Sequence, residues 1–319
     1  MSSDDSRTPA RAAPQAAQAR TGAGVASAAD RLPAPLIFMA SALSQYLGAG
    51  LAVTLFALMP STTVAWWRLT VGAVVLVALR RPWRRRWTGR ALLAAAVFGA
   101  ATATMNVVFY AAISLLPLGT AVSLEFLGPV AVAVVTGRGW RPRAAAALAL
   151  LGVVSISGLG VDPGEPGQRA GVLLALGAGA AWAAYIILGG RVAAAGAGAD
   201  SLAVGMVVGA LVYAPFAVGT AGGALGSPAA AAMVAGVGVL STAVPYRLEQ
   251  VVLGRLGADS FALLSSLMPA TSLLVGVVLL RQLPNGWEMA GLALVSAAVA
   301  LAGASGGARR RAVGRRACG

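Results

Sequence analysis

The chain has 319 residues, 58% of them hydrophobic and 11% charged, with a net charge of +14 whose cations are all Arg. A soluble domain carries about 25% charged residues, so this composition excludes one. The absence of His and the single Cys, Cys318, exclude imidazole acid–base work, the commonest metal ligand, an intrachain disulfide and a thiol nucleophile within the membrane.

Residues 1–32 are rich in Ala, Arg and Ser and hold no apolar core. A signal peptide needs about 7–15 consecutive apolar residues, so this segment reads as a disordered cytoplasmic tail. Apolar runs of helical length then recur, and the predicted spans are 34–57, 62–79, 91–113, 117–136, 144–161, 170–189, 201–219, 230–253, 260–280 and 287–305. Turn signals separate them at Met59-Pro60-Ser61, Leu116-Pro117, Asp162-Pro163-Gly164, Ser227-Pro228 and Leu283-Pro284-Asn285-Gly286. No alternating segments of about ten residues suggest a β-barrel. The expected fold is an all-α membrane protein of ten transmembrane helices.

Arg placement sets the expected orientation. The N-terminal tail, the cluster Arg80–Arg90, Arg138, Arg141, Arg143, Arg191, Arg255 and the C-terminal tail fall on one side. Arg169 and Arg281 fall on the other, together with Asp162, Glu165 and Glu288. This is a positive-inside pattern and puts both termini in the cytoplasm, in a multi-pass protein of the cytoplasmic (inner) membrane. It also accounts for the pI of about 11.6 as a basic surface on anionic lipid heads, so no nucleic-acid partner is expected.

The two halves share a faint pattern. Leu118-Gly119 precedes a span with a central proline, Pro129, and Leu256-Gly257 precedes another with Pro269. Five spans per half is an odd number, so equivalent helices cross in opposite directions. The expected organisation is a first five-helix repeat over 33–161, a linker at 162–169, a second repeat over 170–305 and a basic cytoplasmic tail at 306–319. Inverted repeats place a site near the midplane between them.

Candidate site residues are the polar groups on these apolar spans. Ser41, Ser44, Gln45 and Gly48 share one helix face; so do Thr102, Asn106 and Tyr110. Thr242, Pro245, Tyr246 and Glu249 share another, and Trp182 and Tyr185 lie on a face with Ala178. Such stripes point inward, where they either line a cavity or bond neighbouring helices together. A carboxylate at bilayer depth costs about 2.5–3.5 kcal/mol on insertion scales and is usually functional, often as a proton relay. Glu125 lies about halfway along its span, with small neighbours Ala121 and Gly128 on its face. Pro129 frees a backbone carbonyl one turn before it, which a ligand could use. Glu125 is read either as a proton or substrate site or as a structural ion pair with Arg68. Glu249 is read as functional or as an interfacial charge; Arg247, two residues away, points to a different face. Gly205 and Gly209 form a GxxxG read as packing alone.

Four stretches carry a resemblance: Thr104–Ile113 with Leu118-Gly119, Leu124–Val130, Leu176–Leu188 and Leu240–Glu249. In these the chain resembles the drug/metabolite transporter superfamily, its EamA-like branch, and within that the threonine/homoserine exporter group. The resemblance implies ten helices in two inverted five-helix repeats and export of a small metabolite, often an amino acid. It implies that Asn106, Tyr110, Glu125, Trp182, Tyr185, Tyr246 and Glu249 face the pathway. The chain departs from the family pattern at Met268-Pro269, at Arg281-Gln282 and at Arg247. The combined expectation is a non-enzymatic, cofactor-free secondary exporter coupled to protons, working by alternating access. Its substrate would be a small molecule such as threonine or homoserine. An uncoupled facilitator or importer of the same fold remains the alternative. Gln45, Arg68 and Arg247 complete the expected substrate or proton site, and Pro129, Pro245 and Pro269 are the helix breakers expected beside it.

Overall fold

The computed structural model describes residues 32–136, 139–156, 165–194, 198–245, 248, 252 and 264–317, and no strand occurs among them. Helices α1 (Ala34–Leu55) and α2 (Ser61–Arg80) are followed, after a 3-10 turn at Pro82–Arg84, by α3 (Gly89–Ile113). The fourth predicted span is two helices, α4 (Leu118–Glu125) and α5 (Leu127–Thr136), broken at Phe126. Then come α6 (Trp140–Val153), α7 (Pro166–Ala194) and α8 (Gly198–Ala217). The eighth predicted span begins as α9 (Pro228–Gly238) and widens to a π-helix over Val239–Ala243. A 3-10 turn at Ser265–Leu267 leads into α10 (Met268–Leu280), and α11 (Gly286–Ala317) follows. Five stretches among the described residues are long and apolar enough to cross a bilayer: 34–55, 61–80, 89–113, 167–189 and 200–224. The apolar helices over 118–132, 228–243, 268–280 and 286–301 are shorter.

Lipid offers the backbone no hydrogen-bond partner, so an apolar run of this length satisfies its own N–H and C=O groups as helix. Local chemistry then fixes the starts. The Thr88 hydroxyl accepts from Ala91 N at 3.2 Å, and the Ser227 hydroxyl from Ala230 N at 3.1 Å, with Pro228 in the first turn. Three prolines within predicted spans follow an irregular turn: the Phe126 break comes before Pro129, the π-helix before Pro245 and the 3-10 turn before Pro269, whereas Pro215 sits inside regular helix α8. A proline withdraws one N–H from the ladder, so the turn before it is free to loosen. Arg81 ends α2, and Arg281 ends α10, in the left-handed region, with φ of 50° and 55°.

Small residues let the helices close. Gly99 of α3 meets the backbone of Gly205 in α8, and Gly209 meets Ala103, so the GxxxG is a packing motif. α7 lies on α3 and on both α4 and α5, where Gly179 faces the backbone of Glu125. α1 lies on α9, the π-helix and α10. α2 packs on α8 and α9, and α6 on α11. Large apolar side chains such as Val74, Leu173, Leu211, Phe216 and Val278 point out of the bundle, as they should toward lipid.

Candidate functional site

Arg68 lies two turns into α2 and Glu125 two turns into α4, each about 10 Å along its helix from the start. Arg68 is half-buried. Its Nη2 donates to the Ser241 carbonyl at 3.1 Å, and its Cζ lies 5.4 Å from the centroid of the Tyr110 ring. Such a cation–π contact is worth up to about 2 kcal/mol when desolvated. Tyr110 is fully buried, held edge-on by Phe56 and Phe109 with centroids 6.3 and 6.2 Å away. Its hydroxyl has no partner among the described residues, nor has the buried hydroxyl of Thr242. Thr242 faces Gly72 of α2, one turn beyond Arg68.

Glu125 is 8% exposed and closes α4 at the helix break, not midway along an unbroken span. Arg68 is the cation whose field reaches it. The two do not close into an ion pair, and no donor reaches the Glu125 carboxylate among the described residues. The structural pair considered from the sequence is therefore absent. The Glu125 backbone carbonyl, whose helical donor Pro129 lacks, lies against the backbone of Gly179, so α7 covers it and leaves no room for a ligand there. Phe126, next in the chain, meets Trp182 of α7 edge to face with centroids 4.7 Å apart.

The polar face of α1 meets the π-helix. The Ser44 hydroxyl donates to the Leu240 carbonyl at 2.9 Å, the Ser41 hydroxyl to the Pro245 carbonyl at 3.4 Å, and the Ser241 hydroxyl to the carbonyl of half-buried Gln45 at 3.3 Å. Gly48 is the close approach: a Cβ there would run into Ser241 Oγ. This stripe bonds helices together around Arg68.

Other expected residues stand apart. Asn106 is buried, and its Nδ2 donates to Thr102 O within α3 at 2.7 Å. Tyr185 stacks on Phe98 with centroids 5.0 Å apart, in a separate cluster with Leu188, Val192 and Leu202. Pro269 lies in the first turn of α10 and is buried. Tyr246, Arg247 and Glu249 lie outside the described residues.

Two residues that the sequence reading did not place in the site prove structural. Glu288 is 6% exposed. Its carboxylate accepts from the Thr120 hydroxyl at 2.8 Å and from Asn285 N at 2.9 Å, while Glu288 N donates to Asn285 Oδ1 at 2.9 Å. This is a reciprocal cap on α11, and the N-x-x-E spacing of Asn285 and Glu288 was the signal for it. Gln282 Oε1 accepts from Leu118 N at 2.9 Å, capping α4 from the loop between α10 and α11. A small cavity of about 10 Å³, room for roughly one water, opens beside Thr120 and Gln282.

The stretch 169–304 matches the EamA-like transporter family. The threonine/homoserine exporter RhtA of Salmonella typhimurium (strain SL1344) is 38% identical over 263 residues, which are 82% of this chain and 88% of the relative. The protein of that name from Escherichia coli (strain K12) is 37% identical over 267 residues, 84% of this chain and 90% of its own. A solved crystal structure aligns with a TM-score of 0.54 at 22% identity, covering 84% of this chain and 96% of its own; at that identity it supports the fold alone.

Proposed function

Because the chain belongs to the EamA-like transporter family, a family of multi-pass membrane transporters and not enzymes, we propose that it exports a small amino acid such as threonine or homoserine by proton antiport. One observation carries the reading. Arg68 and Glu125 set a guanidinium and a carboxyl group inside the bundle, yet no ion pair joins them. A zwitterionic amino acid is the solute that suits such a pair: its carboxylate faces the guanidinium and its ammonium the carboxylate. Tyr110, Thr242 and Trp182 border the same region, with two hydroxyls free to meet a side chain such as that of threonine or homoserine.

The relatives named as threonine/homoserine exporters supply the substrate class. Glu125 carries the proton in exchange. The ten helices form two inverted repeats in the cytoplasmic (inner) membrane, both termini in the cytoplasm, and the halves rock about the site. Reciprocal packing supports the repeat: α1 rests on α9 and α10 as α7 rests on α3 and α4–α5, while α2 pairs with α8 and α6 with α11. Nucleic acid has no part in this reading.

The test is uptake of radiolabelled L-threonine into inverted membrane vesicles with an imposed pH gradient. Wild-type uptake follows the gradient, and Glu125→Gln loses gradient-driven accumulation while keeping equilibrating exchange. If Glu125→Gln accumulates threonine at the wild-type rate with an unchanged response to pH, Glu125 is not the coupling group. If wild-type flux persists after the gradient is collapsed, the protein is an uncoupled facilitator.

A further inference from the structure

We propose that Pro245 is a positioning residue for substrate recognition: lacking an N–H, it leaves carbonyls of the π-helix open, and one of them, on Ser241, holds the Arg68 guanidinium in place to receive a carboxylate. The inference rests on the reading of Arg68 given above.

In an α-helical register the N–H of residue 245 would bond Ser241 O; in the π register it would bond Leu240 O. The chain is in the π register as far as Val244, whose N–H donates to Val239 O, and is α-helical again at residue 245. Proline can donate to neither carbonyl. Both find donors from the other half of the chain: Leu240 O from the Ser44 hydroxyl at 2.9 Å, and Ser241 O from Arg68 Nη2 at 3.1 Å. Gly48 lets the turn settle this deeply, because a Cβ there would also lie 3.0 Å from Ser241 N.

The consequence for Arg68 is specific. A guanidinium has five N–H donors in a rigid fork, and the Ser241 carbonyl is the hydrogen-bond acceptor it meets among the described residues. With one donor tied down and the Tyr110 ring beneath the plane, the fork is oriented and its remaining donors are available for two-point recognition of a carboxylate. Pro245, one turn beyond Ser241 on the neighbouring helix, thereby sets the angle at which the substrate acid is met.

The experiment compares KM and Vmax for radiolabelled L-threonine, and competition by L-threonine against L-threoninamide, in proteoliposomes of full-length wild type, Pro245→Ala, Gly48→Ala and Arg68→Gln. Pro245→Ala restores an N–H that bonds Ser241 O where the turn closes in the α register, and that donor competes with Arg68 for its carbonyl. The expected result is a rise in KM of about tenfold, the weight of one charge-assisted hydrogen bond, with Vmax within about twofold. The preference for acid over amide should fall with it. Gly48→Ala displaces the same turn by another route and carries the test if gel filtration shows Pro245→Ala to be misfolded. If Pro245→Ala and Gly48→Ala keep the wild-type KM and acid/amide preference while Arg68→Gln loses that preference, the positioning role is overturned and the receptor reading stands. A fall in Vmax alone overturns it too, as a general packing defect. If Arg68→Gln itself keeps the preference, the receptor reading fails.

Discussion

Two glycines in α7, two residues apart, should respond in opposite ways to the same substitution. A Cβ on Gly179 would lie 2.7 Å from the Glu125 carbonyl oxygen, and 3.4 Å from the Glu125 carbonyl carbon and Cα. These are backbone atoms that cannot turn aside. Moving the oxygen from 2.7 Å to the 3.4 Å of ordinary contact requires α7 and α4 to part by about 0.7 Å. Overpacking of this kind costs about 1–3 kcal/mol, offset by up to about 1 kcal/mol of helix propensity gained on replacing Gly with Ala. A Cβ on Gly177 would meet Val108 Cγ1 at 3.6 Å, an ordinary contact, so that variant keeps the propensity gain without a packing penalty. Gly179→Ala should therefore be less stable than Gly177→Ala by about 2 kcal/mol. Because the shift falls on the residue that bears the carboxylate, it should also slow threonine transport about tenfold, a misplaced group being costly even at sub-ångström scale. Thermal unfolding of the purified proteins and vesicle uptake read the two effects. Equal melting temperatures and equal transport for the two variants would refute the argument that α7 is seated on the Glu125 backbone.

Arg281→Gly should raise stability by about 1 kcal/mol, because it relieves a left-handed residue with φ of 55°; a lower melting temperature would show that the Arg281 side chain outweighs its backbone. Glu288→Ala should cost about 1–3 kcal/mol, since it strips acceptors from Thr120 and Asn285. Glu165→Ala, at an exposed position, should leave the melting temperature within the error of the same scan. Asp200→Asn should change stability by less than about 1 kcal/mol although Asp200 Oδ1 lies 3.2 Å from Arg80 Nη2 and Oδ2 lies 3.7 Å from Arg85 Nη1, because partly exposed pairs are screened; a larger loss in a salt-matched melt would mark that triad as structural.

Among the described residues most helix positions were legible because apolar runs and proline turns are properties of single segments. The α1 face of Ser41, Ser44, Gln45 and Gly48 was legible for the same reason: its period is local. Its target was not, because the groups it meets are backbone carbonyls of Leu240 and Pro245, and a carbonyl has no signature in sequence. The break at Phe126 was hidden likewise. Pro129 permits a loosened turn there, but the fit of Gly179 against Glu125 is a tertiary fact. Trp182 and Tyr185 were read as one stripe, yet three residues along a helix are about 4.5 Å of rise and a 60° offset from a full turn, enough to send one to Phe126 and the other to Phe98. Glu288 was counted only among the charges on the side opposite the Arg-rich face, when its spacing from Asn285 announced a cap.

The Gln282 cap carries a consequence for motion. The N–H of Leu118 is satisfied by a side chain from the opposite half, and the Thr120 hydroxyl by Glu288 beside it. Any displacement that draws α4 away from the α10–α11 loop leaves both donors bare, and in that apolar setting the replacement is solvent. That end of the bundle can separate only as fast as it wets, and the one-water hollow next to Thr120 is where the first molecule would enter.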